Sequence, residues 1–370
     1  MRIGIPMKSY DATWGGPGTY TIELVDRLVR ADGDHEYVLI FPGDVESRSA
    51  ATGRASEPNV REIRTRRHRG LVWDQHDVAQ VAAREKIDLL FSPFMSIPLR
   101  GRYKKVFTLH GAERYVVPRM LPSDQNAKWI FMERMFVPMA DRIIAVSDTM
   151  ARDFRAAVHC PAERIRSVYL GVGSEFSPMQ DARELEAVRR RHELPDHFLL
   201  FVGRIFPNKN FSNLLRGFAA SEALGSHQLI VVGGVRWKFE EDLRLAASLG
   251  IASRVRFLDF VPRRDLVGLY GLATCLVYPS YYESFGLVQL EAMACGCPVV
   301  AAKAGALPEI ARDAAVYCDP HDPRTIGAAI DMMIGDPVLR AAHVRAGIER
   351  AREFTWERCA AETLRVLEEA

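Results

Sequence analysis

Long apolar runs are missing from this chain. No stretch reaches the ~18 residues that a bilayer-spanning helix needs. Cysteine is scarce and unpaired: Cys160, Cys275, Cys295, Cys297, Cys318 and Cys359 never adopt C-x-x-C spacing. All six read as reduced core thiols, which excludes a disulfide scaffold or a zinc ribbon. A dominant charge is also lacking, since 49 Lys and Arg meet 47 Asp and Glu for a net charge of +2. Nothing global therefore points to nucleic acid. Neither H-E-x-x-H nor the nucleophile-elbow G-x-S-x-G occurs. The opening Met1–Pro6, where Ile3 and Ile5 alternate, reads as a strand and not as a signal peptide. The expectation is a soluble, cytoplasmic protein, at most peripheral to the inner face of a membrane.

What is present is alternation. The 370 residues suggest two domains. Strand-like runs in the first half are Arg2–Pro6, Tyr37–Phe41, Val60–Ile63, Leu89–Ser92, Val106–Leu109 and Ile143–Val146. Helical patterns intervene, including Thr19–Arg30 and Asp74–Glu85, and Ser147 reads as an N-cap. The pattern pauses between Leu170 and Pro195, then restarts. Strands are expected at Phe198–Val202, Leu229–Val232, Val255–Leu258, Cys275–Tyr278, Pro298–Ala301 and Ala315–Tyr317. This is an α/β chain with two Rossmann-like, doubly wound domains, 1–172 and 173–355, closed by a last helix within 356–370. Two such domains facing one another create a cleft, and ligands bind beyond the carboxyl ends of the strands.

The residues after each strand therefore carry the chemistry. Phe198–Val202 leads into Gly203-Arg204-Ile205-Phe206-Pro207-Asn208-Lys209-Asn210. A guanidinium fork and an ammonium beside a helix start suit a diphosphate, although two cations in a loop are also ordinary surface. Cys275–Tyr278 leads to Glu283, and a helix is expected from near Phe285 to Cys295. The N–H groups of Phe285, Gly286 and Leu287 would then lie in its first turn without intrahelical partners. Glu291 lies further in, where its two oxygens match a ribose diol. Both acids could merely complement the helix dipole, a reading that suits Glu283 better than Glu291. In the first half, Gly15-Gly16-Pro17-Gly18 lets a backbone approach a ligand. It stands too far beyond its strand for a dinucleotide fingerprint, and Thr21 replaces the third glycine. His110 and Gly111 follow Val106–Leu109, where a histidine is either structural or faces the cleft. Asp32-Gly33-Asp34 spells D-x-D but falls between a helix and a strand, and reads as a turn. No acidic pair is placed for Mg²⁺, so Arg204, Lys209 and helix dipoles would neutralise a diphosphate. No metal and no organic cofactor are expected. Arg61–Arg69 is a basic run that is either a solvated loop or, with Lys104 and Lys105, a face that docks on anionic membrane.

Glu283 and Glu291 form an E-x7-E pair. With Gly203-Arg204…Lys209-Asn210, Gly15-Gly16 and Leu109-His110, the chain resembles the retaining glycosyltransferases of family four, which have the GT-B fold and include bacterial mannosyl- and glucosyltransferases. The resemblance spans nearly the whole chain. It implies a nucleotide diphosphate sugar donor, a GDP- or UDP-hexose with mannose as the first choice. It also implies a saccharide or lipid-linked acceptor of cell-envelope synthesis, bound on the N-terminal domain. Arg204 and Lys209 would hold the diphosphate and Glu291 the ribose. Glu283 and the amides of Phe285, Gly286 and Leu287 would contact the sugar, with His110 beside it. Gly16 would approach the diphosphate and Val261 would flank the base. The last helix would cross back to the N-terminal domain. The proline in Gly15-Gly16-Pro17-Gly18 departs from the family loop, and Tyr10–Trp14 is not a family signature; it would shape the acceptor site.

Competing readings remain. A sugar-nucleotide epimerase shares the fold. A phosphorylase would need a lysine for pyridoxal phosphate, and none stands out. A non-catalytic sugar-nucleotide-binding partner would have no need for Arg204, Lys209, Glu283 and Glu291 together.

Overall fold

A computed structural model describes all residues except 11–14, 44–56, 66–67, 69, 121–122 and 235–238. It divides into two units: Met1–Tyr115, Pro122–Gly171 and Thr355–Ala370 form one, Val116–Leu121 and Val172–Phe354 the other.

The first unit holds a seven-stranded sheet. Its strands are β1 (Arg2–Pro6), β2 (Glu36–Pro42), β3 (Val60–Thr65), β4 (Leu89–Ser92), β5 (Lys104–Leu109), β6 (Arg142–Ala145) and β7 (Ile165–Ser167). They pair in the order β3-β2-β1-β4-β5-β6-β7, all in parallel. The second unit holds β8 (Phe198–Val202), β9 (Gln228–Val232), β10 (Val255–Leu258), β11 (Cys275–Tyr278), β12 (Val299–Ala302) and β13 (Ala315–Cys318), in the order β10-β9-β8-β11-β12-β13. Every residue of β8 and β11 is buried. Strands covered by helices on both faces read as continuous apolar runs, and these do. Strand order reverses between β1 and β4 in one sheet and between β8 and β11 in the other, and a ligand crevice opens at such a switch point.

Helix ends follow from named residues. Ser147 Oγ accepts from the Met150 amide and starts the helix Asp148–Val158, as the sequence predicts. The last helix, Trp356–Glu368, buries Trp356, Cys359, Ala360, Thr363, Val366 and Leu367, the spacing of one helical face. It packs on the helix Gly16–Ala31, where Arg27 Nε donates to Glu357 Oε1 at 2.7 Å. At Gly171 any Cβ would stand 2.2 Å from the Trp356 nitrogen, so only glycine lets these two backbones meet.

Several local expectations need correction. The strand Ile165–Ser167 is absent from the sequence reading because three residues carry too little period to register. The predicted helix Asp74–Glu85 begins earlier and contains a π-helical turn, Trp73–Val78, between Gly70–Val72 and Ala79–Arg84. Arg61 lies in the strand expected at Val60–Ile63, and that strand, the edge strand β3, runs on through Arg64 to Thr65, so Arg64 is not in a loop either. Arg61 bonds Glu85 at 2.8 Å, and the Arg64 guanidinium sits over the Phe41 ring. Lys105 is buried with its ammonium on the carbonyls of Leu99 and Gly101, which removes it from any docking face. Arg66, Arg67 and Arg69, like Asp11–Trp14, fall outside the described residues. Asp32 accepts from the Asp34 amide, His35 and Tyr37, so the D-x-D is a turn. All six cysteines are free and buried.

Candidate active site

Two strand ends of the second unit meet at its switch point. Past β8, Gly203 takes φ 143°, and Arg204 is exposed. A short 3-10 turn, Pro207–Lys209, follows, and Asn210 enters the left-handed region at φ 59° to start the helix Phe211–Ala220. The Asn210 side chain donates to the carbonyls of Pro279 at 2.9 Å and Pro320 at 2.6 Å, and the Tyr281 amide donates to the Asn208 carbonyl. These bonds stitch the loop after β8 to the loop after β11.

The stitching places Lys209 against Glu283, Nζ to Oε1 at 2.6 Å, and against the Tyr278 hydroxyl at 2.9 Å. Both ends of the ion pair are mostly buried, at 19% and 12% exposure. Burial pulls the Lys209 pKa down, but Glu283 and Tyr278 outweigh it and hold the ammonium charged. Burial and the Glu283 charge push the Tyr278 hydroxyl up, so it stays protonated. The lysine charge is thus balanced by the Glu283 carboxylate.

The helix that follows begins at Leu287, not at Phe285. Gly286 has φ 97°, which cannot continue a helix, and it becomes the N-cap. The amides without intrahelical acceptors are therefore those of Leu287, Val288 and Gln289, after Gly286. Of the three amides expected there, only that of Leu287 lies in the first turn. Phe285 is buried instead, its ring edge-on to Phe354 at 5.9 Å. A Cβ at Gly286 would meet Leu307 at 2.7 Å, and one at Gly305 would meet the Glu283 carbonyl at 2.5 Å.

Glu291 sits one turn into this helix. Burial raises its carboxyl pKa to about 7, against the lowering by Arg263 and by the Tyr270 hydroxyl, which donates to it at 3.3 Å. Arg263 is itself paired with Glu175 at 2.7 Å. Val261, past β10, is buried, whereas the adjacent Phe260 is 87% exposed. The apolar surface at this strand end thus belongs to Phe260, which sequence reading passed over. Tyr278 and Gly305 were passed over too. Each stands at or just beyond the end of a strand, which is the signal that could have found them.

In the first unit, His110 follows β5. Its Nε2 lies 2.7 Å from the Pro93 carbonyl. A carbonyl only accepts, so Nε2 carries the proton and Nδ1 is left as an acceptor. Burial lowers the pKa to about 4, and the bond to Pro93 does not offset this. The ring is neutral at pH 7, edge-on to Tyr20 at 4.8 Å and stacked with Phe94. Gly16 is exposed at the first turn of Gly16–Ala31, with Gly15 before it at φ 68°. Lys8, two residues past β1, pairs with the buried Asp74 at 2.8 Å, and Ser96 donates to the same carboxylate.

The second unit thus gathers a buried lysine–carboxylate pair, an exposed arginine and the first-turn amides of a helix at one switch point. Two family models match the chain side by side, Glycosyltransferase Family 4 over residues 14–176 and Glycosyl transferases group 1 over residues 183–350. The chain belongs to the family 4 glycosyltransferases. It is 29% identical over 368 residues to the O-antigen chain mannosyltransferase B of Escherichia coli, covering 94% of each chain. It is 39% identical over 254 residues to a D-inositol 3-phosphate glycosyltransferase of Salinispora tropica, covering 64% of this chain and 53% of that one. Among solved structures, Anabaena HepE in complex with UDP-glucose aligns over both whole chains at TM-score 0.78 and 20% identity. The lipopolysaccharide glycosyltransferase WaaG aligns over both whole chains at 0.74 and 18%. These likenesses establish the GT-B fold. No described helix is long and apolar enough to cross a membrane.

Proposed function

We propose that this glycosyltransferase moves a hexose, mannose first, from a nucleoside diphosphate donor to a saccharide or lipid-linked acceptor of the cell envelope, with retention at the anomeric carbon. The observation that carries the reading is the Lys209–Glu283–Tyr278 cluster, stitched across the β8–β11 switch point. Arg204, Lys209 and the amides of Leu287 to Gln289 take the diphosphate, and Glu291 takes the ribose diol. Phe260 covers the base. Glu283, released when phosphate replaces it on Lys209, turns to the hydroxyls of the reacting sugar. His110 accepts a hydrogen bond from a sugar hydroxyl at Nδ1.

The glycosidic bond to the diphosphate breaks as positive charge grows on the sugar ring. The leaving phosphate takes the proton of the acceptor hydroxyl, which attacks from the same face. Such a step needs fixed charge stabilisation rather than a protein base. The cations supply it, so no divalent metal is required at the donor site, and turnover survives excess EDTA. Loss of activity in EDTA with rescue by Mg²⁺ or Mn²⁺ would overturn this.

Mannose is favoured because a relative matched over 94% of both chains is a mannosyltransferase. A second reading, transfer to an inositol phosphate, draws on the 39% identical relatives. A thermal-shift screen against GDP-, UDP-, ADP- and dTDP-sugars names the donor, since a ligand at 100 times its Kd adds about 2.7 kcal/mol. Product NMR then reads the anomeric configuration. An inverted product defeats the retaining mechanism, and stabilisation by no nucleotide sugar defeats the site.

A further inference from the structure

A second cluster lies in the first unit. His68, on the stretch after β3, and His76 and Asp77, in the π-helical turn, bring three ligand atoms within 4.8 Å of one another. His68 Nδ1 stands 2.7 Å and His76 Nδ1 3.0 Å from the same Asp77 oxygen, Oδ1. The other carboxylate oxygen accepts the His68 amide at 3.2 Å. Asp77 is buried at 3% exposure, whereas the histidines are 35% and 50% exposed.

Successive residues of an α-helix do not face one another. The π-helical turn Trp73–Val78 changes that spacing here, and such turns recur at functional sites. It brings His76 and Asp77 to one corner, and the chain after β3 adds His68 from outside the helix. No lysine or arginine is recorded on this carboxylate among the described residues; two imidazoles face it.

From this geometry we propose that His68, His76 and Asp77 bind one divalent transition metal of the zinc class. Two imidazole nitrogens and one carboxylate oxygen are the donor set that such ions favour. With metal–ligand bonds of about 2.0–2.1 Å, tetrahedral donors stand about 3.3 Å apart. The two histidine–carboxylate edges, 2.7 and 3.0 Å, open by about 0.3–0.6 Å to reach that spacing, and the two imidazole nitrogens, within 4.8 Å of one another, adjust to it by rotation of the part-exposed rings. A +2 ion there replaces the two N–H protons that otherwise bridge to Asp77, and the exposed side leaves room for water as the fourth ligand. The ion ties His68 to the helix whose Asp74 holds Lys8 and Ser96 and whose Gln75 holds Ile97 and Leu99. Its role is to clamp that helix, separate from the phosphate chemistry of the second unit.

The test uses the full chain without an affinity tag, stripped with chelator and titrated with Zn²⁺ in a calorimeter. One equivalent binds and the thermal midpoint rises. His76→Gln and Asp77→Asn each weaken binding at least tenfold while leaving nucleotide affinity unchanged. Co²⁺ in the wild-type chain gives a d–d spectrum without a thiolate charge-transfer band, which distinguishes this site from the six cysteines even if a variant folds poorly. Absence of Zn²⁺ binding, equal binding in both variants, or a thiolate band each overturns the proposal.

Discussion

Glu291 carries two opposed demands. Its carboxyl is pushed to about 7 by burial, yet ribose recognition needs the carboxylate as an acceptor. Between the unfolded value near 4.5 and the native value near 7, the native state binds more protons than the unfolded one. Stability therefore falls as pH rises through that window. At pH 8 the ionised group costs on the order of 3 kcal/mol. Glu291→Gln keeps an acceptor for Tyr270 and removes the charge. Its thermal midpoint at pH 8 should exceed that of the wild type, while at pH 5 the two converge. The same change should weaken donor and free nucleoside diphosphate alike, by roughly 1.5–3 kcal/mol for a lost charged hydrogen bond. For a nucleotide sugar, whose phosphates hold constant charge here, wild-type affinity should rise with pH through 7 and the variant should stay flat. Scanning calorimetry and titration at the two pH values check both halves; a less stable variant with undiminished affinity sinks the role. Lys209 and Glu283 divide differently. Lys209→Ala should lower kcat/KM by about 10²-fold or more, as loss of one fixed stabiliser of transition-state charge does. Glu283→Gln should lower kcat yet spare nucleoside diphosphate affinity, because the diphosphate takes over the Lys209 ammonium. Reversal of these two outcomes would exchange the roles.

The loops that carry these residues depend on backbones that a sequence pattern does not display. The E-x7-E spacing is visible in the chain, but the start of the helix between the two acids is not. Leu287–Ala294 begins two residues late because Gly286 takes φ 97°, and no apolar period marks that value. Gly305 is similarly silent in sequence, though its φ of 54° and its contact with the Glu283 backbone admit no side chain. Gly305→Ala should displace Glu283, destabilise the second unit by about 1–3 kcal/mol, and lower kcat more than it weakens nucleotide binding. Denaturant titration beside steady-state kinetics measures this, and a variant with unchanged kcat separates Gly305 from the site. The strands were legible because β8 and β11 are covered on both faces and so are apolar throughout. The strand expected at Val60–Ile63 is legible, but its continuation through Arg64 and Thr65 is not, because this edge strand carries charge at Arg61, Glu62 and Arg64 with no two-residue period. The π-helical turn was equally hidden, since its residues fit an ordinary helical period.

At the scale of the whole chain, the proposed donor contacts belong to one unit. Arg204, Lys209, Phe260, Glu283 and Glu291 all lie within Val172–Phe354, on a sheet whose switch point falls between β8 and β11. That unit has its own core, in which Leu199, Phe201, Leu214, Phe218, Val231, Val277 and Ile330 are fully buried. The last helix adds its buried face to the other unit, with Trp356 beside Tyr20 of the helix Gly16–Ala31. Cutting before Thr355 therefore removes nothing from the donor sheet. A fragment of residues 172–354 should melt cooperatively and bind the nucleoside diphosphate within about tenfold of the full chain, since every charged hydrogen bond assigned to phosphate and ribose remains in it. It should transfer no sugar, because His110 and the proposed acceptor contacts lie in the first unit. Calorimetric titration and a radiolabelled-donor assay on the fragment make the comparison. A folded fragment with no nucleotide affinity would move essential donor contacts to the first unit. A fragment without a cooperative transition would show that the second core is not self-sufficient, and turnover by the fragment alone would remove His110 from the reaction.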